Sequence, residues 1–269
     1  MKKIEPSRFL QGWFRVLENK ELSPLNYRLI FEAPKIARVV LPGQFVQIGA
    51  SGCFLKRPFS VCDVRGSKVI VLYKVVGRGT AAMVALRRGD RVDVIGPLGK
   101  SFCPTPALFR RIFVAGGVGV PPLYFLARNY PGNRTLDTTF IGARTKNDLL
   151  CIGEFKKLGL RVITATEDGS AGHKGFVTGP LGEFLKTLDI MEAKHVIVFT
   201  CGPKAMMKAV AMICSRHGIT CIASLEEAMA CGMGVCMGCV VKVRQDGDFV
   251  YQRVCREGPV METDKILWD

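Results

Sequence analysis

The sequence predicts a mixed β and α/β chain of three units. These are an antiparallel β-barrel over residues 1–104, a doubly wound parallel α/β domain over 105–219, and a small cysteine-bearing domain over 220–269. Three observations carry this reading. Short apolar stretches punctuated by Gly- and Pro-bearing turns fill the first segment. Strand-like and helix-like stretches then alternate, as in a parallel sheet with crossover helices. Charge finally changes sign. Residues 1–104 carry 18 Lys+Arg against 7 Asp+Glu, residues 105–219 carry 15 against 8, and residues 220–269 carry 5 against 8, within a net +15.

In the first segment, Phe45-Val-Gln-Ile48, Val69-Ile-Val-Leu-Tyr73 and Arg91-Val-Asp-Val-Ile95 read as barrel strands. A helix is expected to follow Gly79-Thr80 and run through Ala81–Leu86, with Thr80 as its N-cap. In the second, Ile112-Phe-Val-Ala115, Thr138-Thr-Phe-Ile141, Arg161-Val-Ile-Thr164 and His195-Val-Ile-Val-Phe-Thr200 read as buried strands. Pro121-Pro122 marks the start of a helix through Leu123–Arg128, and Ala205–Met212 has helical spacing, its methionines facing a core. In the third, Val240–Arg244 and Phe249–Val254 read as two strands joined by Gln245-Asp-Gly-Asp248, with Cys255 at the end of the second.

Composition excludes several classes. No apolar run is long enough to span a bilayer, and Met1-Lys-Lys-Ile-Glu-Pro6 has no signal-peptide hydrophobic region. An odd count of eleven cysteines without secretory features points to a reducing cytoplasm and away from a disulfide framework. The basic charges form neither runs nor a basic helix, so phosphate-bearing cofactors account for them better than nucleic acid. The three histidines form no cluster with other metal ligands, and no Ser/His/Asp set or paired carboxylate is discernible. Any chemistry therefore belongs to cofactors that the protein positions.

The most specific motif is Cys231, Cys236, Cys239 and Cys255. Its C-x4-C-x2-C…C spacing is that of a plant-type [2Fe–2S] centre, with three thiolates on one tight loop and a fourth from a distant strand. A zinc site would show two C-x2-C pairs or a Cys/His mixture. Gly232, Gly234 and Gly238 let the loop curl and leave N–H groups free to face sulfur.

Arg57-Pro-Phe-Ser60, expected after a barrel strand, offers a guanidinium for a pyrophosphate and a hydroxyl for a flavin edge, though a buried Pro-Phe turn reads the same. Val76-Gly-Arg-Gly-Thr80 strengthens it, because Gly79 and Thr80 open a helix whose free N–H groups favour phosphate. Gly116-Gly117-Val-Gly119 lies between a strand and a helix, the place of a nucleotide phosphate loop, without being a strict G-x-G-x-x-G. Cys201-Gly202-Pro203 also follows a strand. It is either a strand-ending turn with a buried thiol or a point where Cys201 faces nicotinamide and flavin rings. Arg144 leaves NAD against NADP open.

Taken in this order, Arg57–Ser60, Gly116–Gly119, Cys201–Pro203 and the cysteine loop resemble the ferredoxin–NADP reductase superfamily with a C-terminal [2Fe–2S] module. Ser224-Leu-Glu-Glu-Ala-Met-Ala-Cys231-Gly-Met-Gly234 with Arg253-Val-Cys-Arg-Glu-Gly-Pro-Val260 resembles, over essentially the whole chain, the electron-transfer subunits of type B dihydroorotate dehydrogenases. That resemblance implies an FAD-binding barrel, an NAD-binding domain and a [2Fe–2S] domain. It implies an FMN-containing catalytic partner that oxidises dihydroorotate to orotate in UMP synthesis, in a heterotetramer of two of each chain. Electrons would pass from that FMN through [2Fe–2S] and FAD to NAD⁺, and the catalytic base would reside on the partner. By position it assigns FAD contacts to Arg57, Pro58, Phe59, Ser60, Leu72, Tyr73, Lys74, Gly79 and Thr80, and iron to Cys231, Cys236, Cys239 and Cys255. Pro121 departs from the smaller residue that relatives often carry after the Gly-rich loop.

Small subunits of NADH-dependent ferredoxin–NADP oxidoreductases and sulfide dehydrogenases share the layout. Their first cluster ligand tends to be aspartate, so Cys231 favours the dihydroorotate reading. A non-catalytic iron–sulfur carrier is a third reading, opposed by the intact Gly116–Gly119 and Cys201–Pro203 stretches.

Overall fold

The computed structural model describes residues 9–268 except 107, 131 and 133, so Met1–Pro6 lies outside the described residues. Six strands close a barrel: β1 (Leu10–Ser23), β2 (Asn26–Glu32), β3 (Phe45–Ile48), β4 (Arg57–Arg65), β5 (Lys68–Lys74) and β6 (Arg91–Leu98). Their order is β1-β2-β5-β4-β3-β6 and every pairing is antiparallel. The barrel forms because alternate residues are apolar and point inward. Leu29 and Phe31 on β2, and Val69, Val71 and Tyr73 on β5, meet in one core.

The second sheet contains β7 (Arg110–Gly116), β8 (Thr138–Ala143), β9 (Arg161–Thr166), β10 (His173–Lys174), β11 (Val196–Cys201), β12 (Thr220–Ser224) and β15 (Val260–Glu262), in the order β10-β9-β8-β7-β11-β12-β15. All pairings are parallel except that of β15 with β12. Alternation again sets the faces. Phe113 and Ala115 pack under the helices Val120–Asn129 and Ile152–Lys157, while Ile112 and Val114 pack under Thr178–Lys186 and Lys204–Arg216. Between β12 and β15 the chain builds the hairpin of β13 (Val240–Gln245) and β14 (Asp248–Arg253). The sheet thus crosses residue 220, because β12 and β15 extend it.

The helix Val120–Asn129 joins the two halves. Leu123 and Leu126 lie in the sheet core, while Phe125 reaches the barrel core. Arg128 on this helix pairs with the buried Asp63 of β4. A second buried pair lies at the start of β7. Asp137 accepts from the Arg111 backbone N–H at 2.9 Å and from Nε at 3.0 Å, and both side chains are fully enclosed.

One local expectation changes and a second is extended. Thr80 is the third residue of the helix Arg78–Met83 and Gly77 is its cap. The Thr80 hydroxyl accepts from the Val76 N–H at 2.9 Å and the Gly77 N–H at 3.2 Å, so the hydroxyl and not an anion satisfies two of the turn's donors. Arg57–Ser60 follows the barrel strand β3 and a connecting loop, and itself opens β4, paired residue by residue with Ile48 back to Phe45. Pro58 is tolerated there because proline, which lacks a ladder donor, is accepted at a strand's beginning.

Candidate redox site

A cleft of about 480 Å³ runs between the barrel and the parallel sheet. Arg57, Pro58, Phe59, Ser60, Leu72, Tyr73, Lys74 and Thr80 line it, so the barrel residues assigned to FAD, Gly79 aside, meet at one concavity. Gly79 stands at its edge. A Cβ there would come within 2.5 Å of Arg57 Nε, so a side chain at 79 would push the guanidinium off this turn. The Phe59 ring turns into the barrel core, 5.9 Å from the Tyr73 ring. Burial pushes the Tyr73 phenol up to about 12, and its hydroxyl donates to Asn19 at 3.0 Å. Lys74 is engaged by Asp148 at 2.6 Å, so its ammonium braces the barrel against the loop after β8.

The far wall of the cleft comes from residues that the sequence does not assign to the flavin: Val118, Pro121, Leu225, Glu226, Ala228 and Met229 among them. Pro121, a departure in the nucleotide loop, thus lines the cleft between barrel and sheet.

The Gly-rich and Cys-Gly-Pro segments meet at the carboxyl ends of β7 and β11, neighbouring parallel strands. Strand order reverses here, since β8 lies on one side of β7 and β11 on the other. Open α/β sheets bind nucleotides at such a switch point. The two segments touch backbone to backbone. A Cβ on Gly119 would lie 2.4 Å from the Cys201 carbonyl oxygen, and one on Gly202 (φ +151°) would lie 2.9 Å from the Gly116 nitrogen. Met206 packs across both, its sulfur 2.6 Å from where a Gly116 Cβ would stand. Gly117 has φ +51° and open space around its missing Cβ. Pro203 caps the helix Lys204–Arg216. We expect Gly119→Ala to cost about 1–3 kcal/mol by overpacking against backbone that cannot move aside. Urea unfolding of the two proteins checks this.

Cys201 is buried and its thiol contacts Glu226 Oε1 at 3.8 Å. Burial, reinforced by the Glu226 charge, pushes this thiol well up, so it stays neutral. Glu226 is enclosed by protein yet reaches solvent through the open cleft; that enclosure raises its carboxyl above the usual range. The pair links the end of β11 to the cleft wall.

The thiol loop begins two residues beyond Met229. Cys231, Cys236, Cys239 and Cys255 stand as two interacting pairs, Cys231 with Cys236 and Cys239 with Cys255. Among the described residues no three Cys, His, Asp or Glu side chains converge on a single-ion site. Two thiols for each of two bridged irons is the donor set of a [2Fe–2S] group. Backbone donors surround the sulfurs. Met233, Val235 and Cys236 N–H each point at Cys231 Sγ at 3.4 Å, and Gly234 N–H reaches Cys255 Sγ at 3.1 Å. Burial opposes ionisation of Cys231, but these donors outweigh it and bring the thiol down to about 6. Burial and then contact with Cys239 push Cys255 up to about 12. Positive φ at Gly232 (+66°) and Gly234 (+79°) lets the loop turn its N–H groups inward. Arg253 locks the arrangement, donating to the Gly234 carbonyl at 2.7 Å while paired with Glu257. Cys239 and Cys255 are buried, whereas Cys236 is exposed between Val235 (77% exposed) and Met237 (49%).

The residues present suit all three groups: a cleft for a flavin, glycine backbones at a switch point for a dinucleotide, and paired thiols under inward N–H donors for a cluster. His173 and His195 are exposed and lie outside this site.

Comparison with known proteins agrees with this geometry. The family model for the iron–sulfur cluster binding domain of dihydroorotate dehydrogenase B matches residues 226–267, and that for an oxidoreductase NAD-binding domain matches 113–212. The chain is 39% identical over 255 residues to the dihydroorotate dehydrogenase B (NAD(+)) electron transfer subunit of Caldanaerobacter subterraneus, covering 94% of this chain and 97% of the relative. It is 36% identical to that of Desulforamulus reducens, covering 95% and 97%. Among solved structures, an NADH-dependent reduced ferredoxin–NADP oxidoreductase superposes with a TM-score of 0.82 at 28% identity, covering 95% of this chain and 90% of that one. A flavohemoglobin from Malassezia yamatoensis with bound FAD and heme shares the fold at a TM-score of 0.65, 18% identity and 78% and 57% coverage. By these matches the chain belongs to the family of dihydroorotate dehydrogenase B (NAD(+)) electron transfer subunits.

Proposed function

We propose that this chain is the electron-transfer subunit through which a dihydroorotate dehydrogenase catalytic subunit, carrying FMN, delivers electrons to NAD⁺ in UMP biosynthesis. One observation carries the reading: the flavin cleft and the thiol loop are contiguous in the chain. Met229 lines the cleft and Cys231 opens the loop, and two residues span at most about 7 Å even when extended. When bound, the cluster supplies one-electron transfer, the flavin an exchange between one- and two-electron chemistry, and NAD⁺ is the hydride acceptor.

The protein's own part is placement. Cys231, Cys236, Cys239 and Cys255 would hold the cluster. Arg57, Pro58, Phe59, Ser60, Leu72, Tyr73, Lys74, Gly79 and Thr80 would hold FAD. Gly116, Gly117, Gly119, Cys201, Gly202 and Pro203 would receive NAD. We further propose that residues 1–104, 105–219 and 220–269 serve chiefly the flavin, the nucleotide and the cluster in turn, the last lending β12 and β15 to the parallel sheet and Leu225–Met229 to the cleft wall, that Val235 and Met237 face the catalytic subunit, that the complex holds two of each chain, and that it works in the cytoplasm, where cysteines free of disulfides persist.

Arg57→Ala should weaken FAD retention about 10–100-fold, because a charge-assisted hydrogen bond contributes roughly 1.5–3 kcal/mol. Flavin content after dialysis, with the protein's own FAD as the reference, measures it.

The deciding experiment is NAD⁺ reduction by dihydroorotate, using this chain with the same organism's FMN-containing dihydroorotate dehydrogenase. Activity that needs both chains supports the reading. Flavin and cluster that NADH reduces, without any coupling to dihydroorotate, would move the chain to the function of the ferredoxin–NADP oxidoreductase that it resembles in structure.

A further inference from the structure

Gln47 lies in the middle of β3, 1% exposed, and its side-chain amide nitrogen is buried with no hydrogen-bond partner. A buried amide donor left without an acceptor is costly, so its acceptor should be a group that belongs to the working protein. Its surroundings say where that group is. A Cβ built on Gly232 would lie 2.4 Å from Gln47 Nε2, so the amide rests directly on the first turn of the thiol loop, beside Cys231. Gly232 at φ +66° is the residue that admits it. On β3, Phe45 shares this face two residues earlier; it lines the cleft and packs in the core that holds Cys239 and Cys255. Across the ladder Gln47 pairs with Pro58, another cleft residue.

The thiol loop's own donors come from its backbone, at Met233, Gly234, Val235 and Cys236. Gln47 is a donor of different origin, carried in from the barrel. We propose that the Gln47 amide donates a hydrogen bond to the sulfur-bearing group enclosed by the Cys231–Cys239 loop, so that the barrel sets the reduction potential of the centre beside it. This rests on the reading of the four cysteines as a [2Fe–2S] site. The physical reason is charge. Reduction adds an electron to a thiolate- and sulfide-rich group, and a donor aimed at sulfur stabilises the more negative state. Gln47 is a positioning and tuning residue and takes no part in bond making.

The test uses the intact chain with FAD and cluster bound. Gln47→Leu removes the donor at similar volume. Cluster reduction should become about fivefold to tenfold less favourable, a fall of about 40–59 mV in its one-electron midpoint at 59 mV per tenfold. The flavin midpoint should stay in place. One exchangeable-proton coupling in the electron–nuclear double resonance spectrum of the reduced cluster should disappear. Gln47→Met, unbranched and equally lacking a donor, gives the same readouts should the leucine variant fail to assemble. An unchanged cluster midpoint and unchanged couplings in a correctly assembled variant would overturn the proposal and leave Gln47 a packing residue. A shift confined to the flavin midpoint would also overturn it, placing the amide's acceptor in the cleft. Absence of a [2Fe–2S] signal from the wild-type chain would instead remove the cluster reading itself.

Discussion

Cys236→Ser should abolish the iron–sulfur spectrum of this chain and leave its flavin in place. Coupling of NAD⁺ reduction to the catalytic subunit should fall by more than the roughly 10–100-fold that outer-shell changes at metal sites cost. Cys236 is exposed at the loop tip, so the substitution neither opens a cavity nor disturbs a core. None of the residues lining the cleft between barrel and sheet, proposed above for FAD, lies between Gly232 and Gly258. Direct reduction of the flavin by NADH should therefore keep its wild-type rate. Iron analysis, the electron paramagnetic resonance spectrum after reduction and stopped-flow flavin reduction separate these effects. Retention of an unaltered [2Fe–2S] signal would remove Cys236 from the ligand set.

Asp137→Ala should give the largest loss of stability, about 3–5 kcal/mol, because it leaves the Arg111 guanidinium buried without its counter-charge. Arg111 also donates to the Tyr130 carbonyl, but that contact cannot neutralise a cation. The pair ties the first strand of the parallel sheet to the segment leading into the second, so the damage should fall on the nucleotide half. Against a native stability of about 5–15 kcal/mol, this is enough to populate partly unfolded forms. Urea titration followed by circular dichroism measures it, and Arg111→Met/Asp137→Leu should recover much of the loss by replacing the pair with apolar volume.

Much of this architecture was legible in the residues, and its gaps have physical causes. Short apolar stretches such as Val69–Tyr73 announced barrel strands because both their faces are enclosed, Val69, Val71 and Tyr73 in the barrel core and Ile70 and Leu72 against the sheet domain. Leu10–Ser23 did not, since Arg15, Glu18, Lys20 and Glu21 give it a half-exposed, charged face. Thr80 has the chemistry of a cap, but Gly77 starts the helix and Thr80 bonds back to it, a choice of register that composition does not decide. The cysteine loop was legible because ligand spacing is local. The far wall of the cleft was not. Val118, Pro121 and Leu225–Met229 come from separate stretches of chain, and only the packing of barrel on sheet brings them to Arg57 and Ser60. Gln47 looked like any polar residue in a strand until its surroundings were known. Glu226 likewise acquires significance only through Cys201, which lies 25 positions earlier.

Gly258, Pro259 and Val260 lie where the barrel, the sheet edge and the thiol module meet. The Lys100 N–H of the barrel side donates to the Gly258 carbonyl at 2.6 Å, Leu225 N–H donates to the Pro259 carbonyl at 2.9 Å, and Val260 pairs with Ser224. Three consecutive residues therefore fasten all three units, only a few positions after Cys255. A redox protein built this way has no swinging arm. The gap that an electron must tunnel is set when the chain folds, and passage between the two centres should be paced by distance and driving force, indifferent to the viscosity of the solvent around it.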